Sequence, residues 1–238
     1  MKYKVKPFHP IALFGFVAVV ALFGAVPASA ALVGSIDITL TAPGGIIGDS
    51  TPIDAINTVP AADGTLVSPG DGSNIGTCLL PIESIGLSGN SFMLTIASGG
   101  LNSASQPVTG YLGLGSAHAQ YVFSNLQIPG QAIAGLSFSD YDSFAASGTI
   151  GLASPTDLSQ VVQLLSPSSF SVNLDNLVFM DRGPGASYDY VDLQVTLNTT
   201  AVPLPGAGIL LLSGLSLLAL CRRKGAHAHL ARDSISEI

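Results

Sequence analysis

The sequence of 238 residues has no tryptophan and only two cysteines, and its basic residues are few and unevenly placed. Between residues 31 and 201 there is no lysine, and Arg182 is the only arginine. Thirteen of the 15 acidic residues and one of the 8 basic residues lie in this segment, so its formal charge is −12. Because one cation cannot neutralise a row of phosphates, nucleic acid and anionic lipid head groups are excluded as partners. Divalent cations and neutral or hydrated polysaccharides remain as ligand classes.

Residue types that commonly carry catalysis are also scarce in residues 31–201. His118 is the only histidine there, Glu83 is the only glutamate, and no serine lies in a G-x-S-x-G sequence. Hydrolytic zinc needs several histidine or cysteine ligands, which this segment lacks. The sequence therefore predicts a domain that is not an enzyme. A glycoside hydrolase that uses paired aspartates is the minor alternative.

Cys78 is the only cysteine between residues 31 and 201, so no disulfide can form within that segment. The thiol could pair between molecules or act as a nucleophile. Its setting, Thr77-Cys78-Leu79-Leu80, instead favours a small buried side chain.

The amino-terminal 30 residues have the three parts of a secretory signal peptide. Lysines at positions 2, 4 and 6 precede an apolar stretch from Ile11 to Val26, and Ala28-Ser29-Ala30 follows. Small residues at Ala28 and Ala30 are typical of a cleavage site, so we predict export through the Sec pathway and cleavage after Ala30. The alternative is an uncleaved membrane anchor.

A second apolar stretch lies near the carboxyl end. The 16 residues from Gly206 to Cys221 would make a helix about 24 Å long, which is short for a hydrocarbon core of about 30 Å. We still predict a single transmembrane helix, because Arg222, Arg223 and Lys224 follow it directly and form a cytoplasmic stop. A buried core helix is the alternative, which three consecutive cations disfavour. By the same rule, the residues between the two apolar stretches lie outside the cytoplasm.

The order of Val202-Pro203-Leu204-Pro205, a leucine-rich stretch and a basic trio resembles the sorting tail of PEP-CTERM proteins, in its VPLP (VPLPA-CTERM) variant. The resemblance covers residues 202–224. It implies recognition of Val202–Pro205 by an exosortase, a membrane-embedded transpeptidase of Gram-negative bacteria that make exopolysaccharide. It also implies delivery to the cell surface or extracellular matrix. Leu204 replaces the commoner glutamate, and residues 225–238 extend past the usual end of the tail as a cytoplasmic segment of unknown role.

Alternating polarity predicts β-strands through much of residues 31–201. The alternation is clearest in Leu32–Thr41, in Phe92–Ile96, in Phe170–Val178 and in Asp189–Asn198. Weaker patterns predict strands near Tyr111–Leu114, Gln120–Ile128, Gly135–Ser139 and Thr149–Leu152. Glycine, serine, proline and asparagine between them suit antiparallel loops. We predict an all-β domain, an antiparallel β-sandwich with a jelly-roll-like topology.

Three further segments carry their own expectations. Ser154-Pro155-Thr156-Asp157, followed by apolar residues at helical spacing, predicts a short helix over about Pro155–Leu165. Residues Ala42–Leu80 lack a firm period, so we expect long loops with two short strands. Thr199–Val202 is expected to be a brief spacer.

Oxygen-rich clusters near predicted strand ends raise the question of a Ca²⁺ site. Asp140, Asp142, Asp189 and Asp192 are the candidate ligands, because Ca²⁺ prefers carboxylate and carbonyl oxygens. None of these clusters matches an EF-hand loop, and solvated acids or Asx turns are the simpler explanation of each cluster taken alone. Asp71-Gly72-Ser73-Asn74 and Asp175-Asn176 are further polar turns; a β-bulge is an alternative for the latter.

The sequence as a whole predicts an exported, non-enzymatic protein of the cell surface or extracellular matrix, held as a precursor by a single span of the inner membrane. Its expected partner is an exosortase-type enzyme, and no cofactor is required. The alternative is a carbohydrate-binding module for exopolysaccharide, Ca²⁺-stabilised in one version, with Tyr141 and Tyr190 as sugar platforms.

Overall fold

The strands form where the alternation of polar and apolar residues predicts two-faced segments. The computed structural model describes residues 31–140, 151–184, 186–202 and 213. In Ser35–Ala42 every second side chain, from Ile36 onward, is buried. In Tyr190–Ala201 the same holds from Val191 to Leu197. One face of each strand therefore lies on a core and the other toward solvent, as the period of two requires.

Thirteen strands lie in the described residues. They are β1 (Ser35–Ala42), β2 (Ile53–Pro60), β3 (Leu66–Val67), β4 (Ser84–Ser88), β5 (Ser91–Leu101), β6 (Pro107–Thr109), β7 (Gln120–Ser124), β8 (Gln131–Asp140), β9 (Leu152–Ser154), β10 (Val162–Ser166), β11 (Ser169–Asn173), β12 (Val178–Phe179) and β13 (Tyr190–Ala201). Two single 3-10 turns, Ile75–Thr77 and Leu158–Gln160, accompany them. The chain divides into two units, residues 1–199 and 200–238, and the description below concerns the first.

The strands assemble into two sheets. One has the order β10-β11-β7-β1-β2, and the other has the order β3-β4-β5-β6-β12-β9, with β13 pairing with β5 and β8. Every strand pair whose register is described is antiparallel, for example β1 with β2 and β5 with β13. The predicted all-β, antiparallel architecture is therefore confirmed, and two sheets on one core are consistent with a β-sandwich.

The core lies between the inner faces of the two sheets. Phe92 of β5 contacts Phe123 of β7 and Phe170 of β11, with ring centroids 4.8 and 5.1 Å apart, and these three rings are fully buried. Phe123 and Phe170 stack at 4.5 Å on neighbouring strands. Aliphatic side chains from both sheets surround the rings in one continuous cluster. The aromatic contacts therefore join the sheets directly.

The predicted helix over Pro155–Leu165 is wrong. The segment contains only the 3-10 turn Leu158–Gln160, where the Asp157 side chain rather than Ser154 accepts the capping hydrogen bond from the Ser159 N–H. From Val162 onward the chain is strand β10, antiparallel to β11. Leu165, which the helical pattern would bury, is 55% exposed. Pairing with β11 supplies backbone hydrogen bonds that a short helix with two adjacent valines would not match.

Other sequence predictions also need correction. Residues Ala42–Leu80 contain two strands, β2 and β3, as expected, but β2 is longer than predicted, because proline and aspartate near its ends obscure its alternation. Strand β4 was not predicted, and Tyr111–Leu114 forms isolated bridges, the nearby strand being β6. The expected spacer after Thr199 belongs to β13 as far as Ala201.

The alternation predicted through Phe170–Val178 stops partway. Phe170, Val172 and Leu174 are buried as expected, whereas Val178 is half-buried and Phe179 takes the buried position. The polar pair Asp175-Asn176 forms a turn between β11 and β12, with Asn176 at φ 60°. It is therefore a turn that resets the alternation, and not a bulge within one strand.

Gly99 is required where β5 approaches the chain just after β6. A Cβ at Gly99 would collide with the Cα of Gly110 and would lie 2.9 Å from the Gly110 nitrogen. At Gly86 in β4, by contrast, the nearest atom to an added Cβ is 3.7 Å away. The backbone itself therefore leaves no room for a side chain at position 99.

We expect Gly99→Ala to lower the free energy of unfolding by about 1–3 kcal/mol, since the methyl group must displace main-chain atoms. Gly86→Ala is the matched control; it should leave the free energy of unfolding unchanged or raise it slightly, because alanine restricts the unfolded chain. Urea unfolding of both variants measures the difference. Equal free energies of unfolding for the two variants would show that the backbone at Gly99 and Gly110 can move apart without loss of stability.

Candidate functional site

The residue that sequence reasoning undervalued most is Glu83, whose side chain is buried in the domain. It follows a turn closed by a hydrogen bond from the Glu83 N–H to the Leu80 carbonyl oxygen at 3.1 Å. Pro81 occupies the second position of the turn and Ile82 the third, where φ is 68°. This is the pattern of a type II turn, in which glycine is preferred at the third position. A β-branched residue there is strained, and the strain accompanies the placement of Glu83.

Four donors surround the Glu83 carboxyl group, which is 1% exposed. Its Oε2 accepts hydrogen bonds from the Leu80 N–H at 3.0 Å, from the Tyr111 hydroxyl at 2.5 Å and from the Tyr121 hydroxyl at 3.3 Å. Its Oε1 accepts from the Ala97 N–H at 3.1 Å. Burial raises the pKa of Glu83 to about 7, although the hydrogen bonds from Tyr111, Leu80, Ala97 and Tyr121 act in the opposite direction.

The Tyr111 hydroxyl has two acceptors within reach and a single proton. Besides Glu83 Oε2, it lies 3.1 Å from the Cys78 carbonyl oxygen. When Glu83 is ionised, the Tyr111 hydroxyl donates to the carboxylate. When Glu83 is protonated, the carboxyl group can donate to the Tyr111 oxygen, and the Tyr111 hydroxyl can then donate to the Cys78 carbonyl oxygen. Burial, with the nearby Glu83 charge, raises the pKa of both Tyr111 and Tyr121, so both remain phenols. The network therefore has two arrangements that differ by one proton.

Tyr111 also lines a cleft of about 480 Å³. Its lining residues come from separate parts of the chain: Ile47, Asn102, Val108, Thr109, Tyr111, Leu112, Gly113, Gly115, Ala117, His118, Asp175 and Asn176. Strand β6, the loop from Tyr111 to His118, and the turn after β11 therefore build it together. The Leu114–Ala117 bridge holds the loop in a tight hairpin.

His118 and Asp175 are paired at this cleft. The His118 Nδ1 lies 2.6 Å from Asp175 Oδ2, and Asp175 Oδ1 accepts a hydrogen bond from the Ala119 N–H at 3.0 Å. The His118 side chain is 60% exposed, whereas that of Asp175 is 14% exposed. Gly113 packs on the carboxylate, since an added Cβ would lie 2.8 Å from both of its oxygens. The fold therefore fixes the carboxylate and leaves the imidazole accessible.

The two candidate Ca²⁺ ligands that the structure describes bond to different neighbours. Asp189 Oδ1 accepts a hydrogen bond from the main-chain N–H of Arg182 at 2.7 Å, and Asp192 Oδ1 accepts one from the Thr95 hydroxyl at 2.6 Å. In the described part of the chain, no group of three or more histidine, cysteine, aspartate or glutamate side chains is placed to hold a metal ion. Asp142 and the side chain of Asp140 lie outside the described residues. The Ca²⁺ site stays a prediction.

Tyr190, one of the two predicted sugar platforms, already has a partner on its ring. The Arg182 guanidinium carbon lies 3.5 Å from the ring centroid, and Arg182 Nη2 donates to the Tyr190 carbonyl oxygen at 2.9 Å. One face of the ring is therefore covered by a cation. Tyr141, the other platform, lies outside the described residues, so ligand binding by this pair stays a prediction.

Several other predicted features also lie outside the described residues, namely the signal peptide with Ala28 and Ala30, Pro203, Leu204 and Pro205, and the basic trio Arg222, Arg223 and Lys224. Val202 is described and is 50% exposed. No helix within the described ranges has the length and hydropathy needed to cross a membrane.

Two smaller polar features agree with simple structural roles. Asp71 accepts hydrogen bonds from the Ser73 and Ser68 N–H groups at 2.8 and 3.1 Å, as in an Asx turn. Hydrogen bonding from the Ser73 side chain is the largest cause that lowers the pKa of Asp71. Burial raises this pKa, and the two N–H groups lower it further. Cys78 is half-buried and packs on the core as a free thiol, so it is less buried than its apolar neighbours suggested.

Sequence reasoning named His118, Glu83 and Asp175 only in passing. His118 and Asp175 are 57 positions apart, so their contact had no local signal. Glu83 is the only glutamate in a lysine-free segment, and it lies between two apolar stretches. That isolation was the one available sign of a buried carboxyl group.

Comparison of the chain with protein-family models, with curated proteins and with solved structures finds no match.

We expect the contribution of Glu83 to the free energy of unfolding to fall as pH rises from about 4.5 to above 7. Its folded-state pKa of about 7 exceeds the ordinary value of 4.5, so folding binds a proton and is favoured below 4.5. Ionisation should cost about 3 kcal/mol of the free energy of unfolding. The free energy of unfolding of Glu83→Gln, relative to that of the native protein, should therefore rise by this amount between pH 4.5 and 8. Urea unfolding across that range measures it.

Asp157→Asn is the control for this measurement. Hydrogen bonding, chiefly from the Ser159 side chain, lowers the pKa of Asp157, so its contribution to stability is present at neutral pH and is lost in acid. The difference between variant and native protein should then change in the opposite direction and over a lower pH range. If the Glu83→Gln and native stabilities run parallel through pH 7, the buried carboxyl group does not titrate as described.

We also expect Ile82→Asn to raise the free energy of unfolding by roughly 1 kcal/mol, because asparagine tolerates the left-handed backbone that isoleucine resists. Ile56→Asn is the matched control. Ile56 is also exposed, but it lies in strand β2, where asparagine is unfavourable, so stability should fall. Thermal unfolding of both variants shows whether each substitution raises or lowers stability. A loss of stability at both positions would contradict backbone strain at Ile82.

Proposed function

We propose that the chain is an exported, non-enzymatic protein of the cell surface or extracellular matrix of a Gram-negative bacterium, sorted by an exosortase-type transpeptidase. The observation that carries the proposal is the order of Val202-Pro203-Leu204-Pro205, the apolar run 206–221 and the basic trio 222–224 behind a signal-peptide pattern in residues 1–30. The precursor is held in the inner membrane by one span. The apolar run alone would not suggest a sorting substrate; the proposal rests on the three parts of the tail in this order.

The point at which the last strand ends supports this role. Strand β13 ends at Ala201, and Val202, the first residue of the sorting sequence, is half exposed. The last described strand therefore ends one residue before Val202 is reached. A processing enzyme needs an accessible chain that is free of sheet hydrogen bonds, and prolines keep a stretch from joining a sheet. The proposed sorting sequence therefore begins after the last residue of β13.

The proposed lack of catalysis rests on which acids and bases are within reach of a substrate. Glu83, the only glutamate between residues 31 and 201, has its carboxyl group buried and held by four donors. His118 has an aspartate partner, but no serine or cysteine hydrogen bonds to its imidazole among the described residues. A jelly-roll-like topology of the two sheets is part of the same proposal, because such domains serve widely as surface modules.

Replacing both prolines tests the sorting role. Pro203→Ala with Pro205→Ala should abolish processing of the tail, because the recognition element loses the rigidity that distinguishes it from an ordinary apolar flank. The protein should then stay in the membrane fraction at its unprocessed mass. Intact-mass spectrometry of protein from the envelope and the medium of the native host measures both. The host must carry the sorting enzyme, so a heterologous cytoplasm is not a substitute.

Pro129→Ala, in an exposed turn of the β domain, is the control and should be processed normally. A double variant with the mass and location of the native protein would show that Val202–Pro205 is not a sorting sequence. Native protein recovered only at full length from the cytosol would contradict export altogether.

A further inference from the structure

The cleft that contains His118 and Asp175 combines an apolar wall with a fixed polar end. Ile47, Val108 and Leu112 supply aliphatic surface, and both Ile47 and Leu112 are more than a third exposed. Asp175, His118 and Asn176 supply polar atoms to the same lining. The volume of about 480 Å³ lies within the range of small-ligand sites, about 300–1,000 Å³.

The polar groups of the cleft retain hydrogen-bonding capacity. Each Asp175 oxygen accepts one hydrogen bond from the protein and has a second lone pair. The imidazole of His118 uses Nδ1 for Asp175, and no described residue bonds its Nε2. The Asn176 amide likewise has no partner within the described part of the chain, and its left-handed backbone places it on the turn beside the carboxylate. Donors and acceptors therefore lie side by side.

Charge restricts what such a cleft can bind. Arg182 is the only arginine between residues 31 and 202, no lysine occurs there, and the guanidinium lies over Tyr190 rather than in the cleft. Phosphate, sulfate and carboxylate ligands would meet Asp175 without a compensating arginine or lysine. A neutral ligand whose groups both donate and accept hydrogen bonds fits better. It should also carry a face of C–H groups for the aliphatic wall.

We propose that this cleft binds a neutral saccharide unit, with its hydroxyl groups on Asp175, His118 and Asn176 and its C–H face on Ile47 and Leu112. Ring hydroxyls donate to the carboxylate and accept from the amide, while the flat apolar face of a pyranose covers aliphatic side chains. The proposal does not depend on the sorting tail. It also assigns saccharide binding to residues other than Tyr141 and Tyr190.

Ligand-observed saturation-transfer NMR on the full-length chain tests the proposal. The protein is purified in a detergent without a sugar head group, and EDTA is present throughout. The probes are methyl glycosides of neutral hexoses, pentoses and N-acetylhexosamines at about 5 mM, a concentration suited to weak single-ring binding. Methyl glucuronide is compared with methyl glucoside, because the two differ by one carboxylate. We expect transfer to at least one neutral glycoside and weaker transfer to the glucuronide than to the glucoside.

Variants locate the binding. Asp175→Asn and His118→Ala should each weaken binding of the glycoside about tenfold or more, since each removes hydrogen bonds between the side chain and the sugar hydroxyl groups. Both variants should fold, because an asparagine oxygen can still accept from the Ala119 N–H and His118 is largely exposed. Asp157→Asn makes the same chemical change at an exposed turn outside the cleft and should bind as the native protein does.

Three results would overturn the proposal. The first is the absence of transfer to every neutral glycoside. The second is binding that Asp175→Asn and His118→Ala leave unchanged, which would place the ligand elsewhere. The third is a preference for the glucuronide, or binding that appears only when EDTA is replaced by Ca²⁺. Because purified protein is used, none of these results bears on whether the tail is sorted.

Discussion

The contact of Phe92 with Phe123 and Phe170 is the interaction on which the two-sheet structure depends. Phe92 belongs to one sheet and the other two rings to the opposite sheet, and all three are fully buried. No disulfide can form within residues 31–201, so the sheets are held by side-chain packing. Aromatic rings suit this task because each buries a large apolar area and fixes its neighbours in an offset or edge-on arrangement.

Glu83 is the exception within that apolar interior. Burying its carboxyl group opposes folding when it is ionised, and the two tyrosines and two main-chain N–H groups offset only part of the cost. In return the carboxyl group joins the turn at Leu80, strand β5 through Ala97, and the Tyr111 segment at one point. Tyr111 also lines the cleft, so the buried network and the surface site share a side chain. A polar contact of this kind fixes position, which apolar packing alone leaves less defined.

The domain and the tail carry different parts of the proposed role. In the proposal, the tail holds the information for sorting in the order of a few residues. The domain presents an acidic surface and a cleft whose polar groups suit a neutral ligand. Binding and sorting can therefore fail independently of one another. That independence would follow from the order of the chain: Asp175 and His118 precede β13, and the proposed sorting sequence begins at Val202, after the last residue of β13.

The sequence by itself determined the all-β class, the faces of β1, β5 and β13, and the absence of lysine that limits the ligands. Alternating polarity is a local property, and side chains of a strand obey it wherever one face is buried. Tertiary structure decided what depends on distant partners. Strand β10 is extended because β11 is there to pair with it, although its apolar spacing suits a helix equally well. Glu83 meets Tyr121, 38 positions away, only because the two sheets pack together. His118 meets Asp175, 57 positions away, only because β7 pairs with β11 within one sheet. No window of sequence contains such a contact, because the distance between those side chains is set by the packing of whole strands.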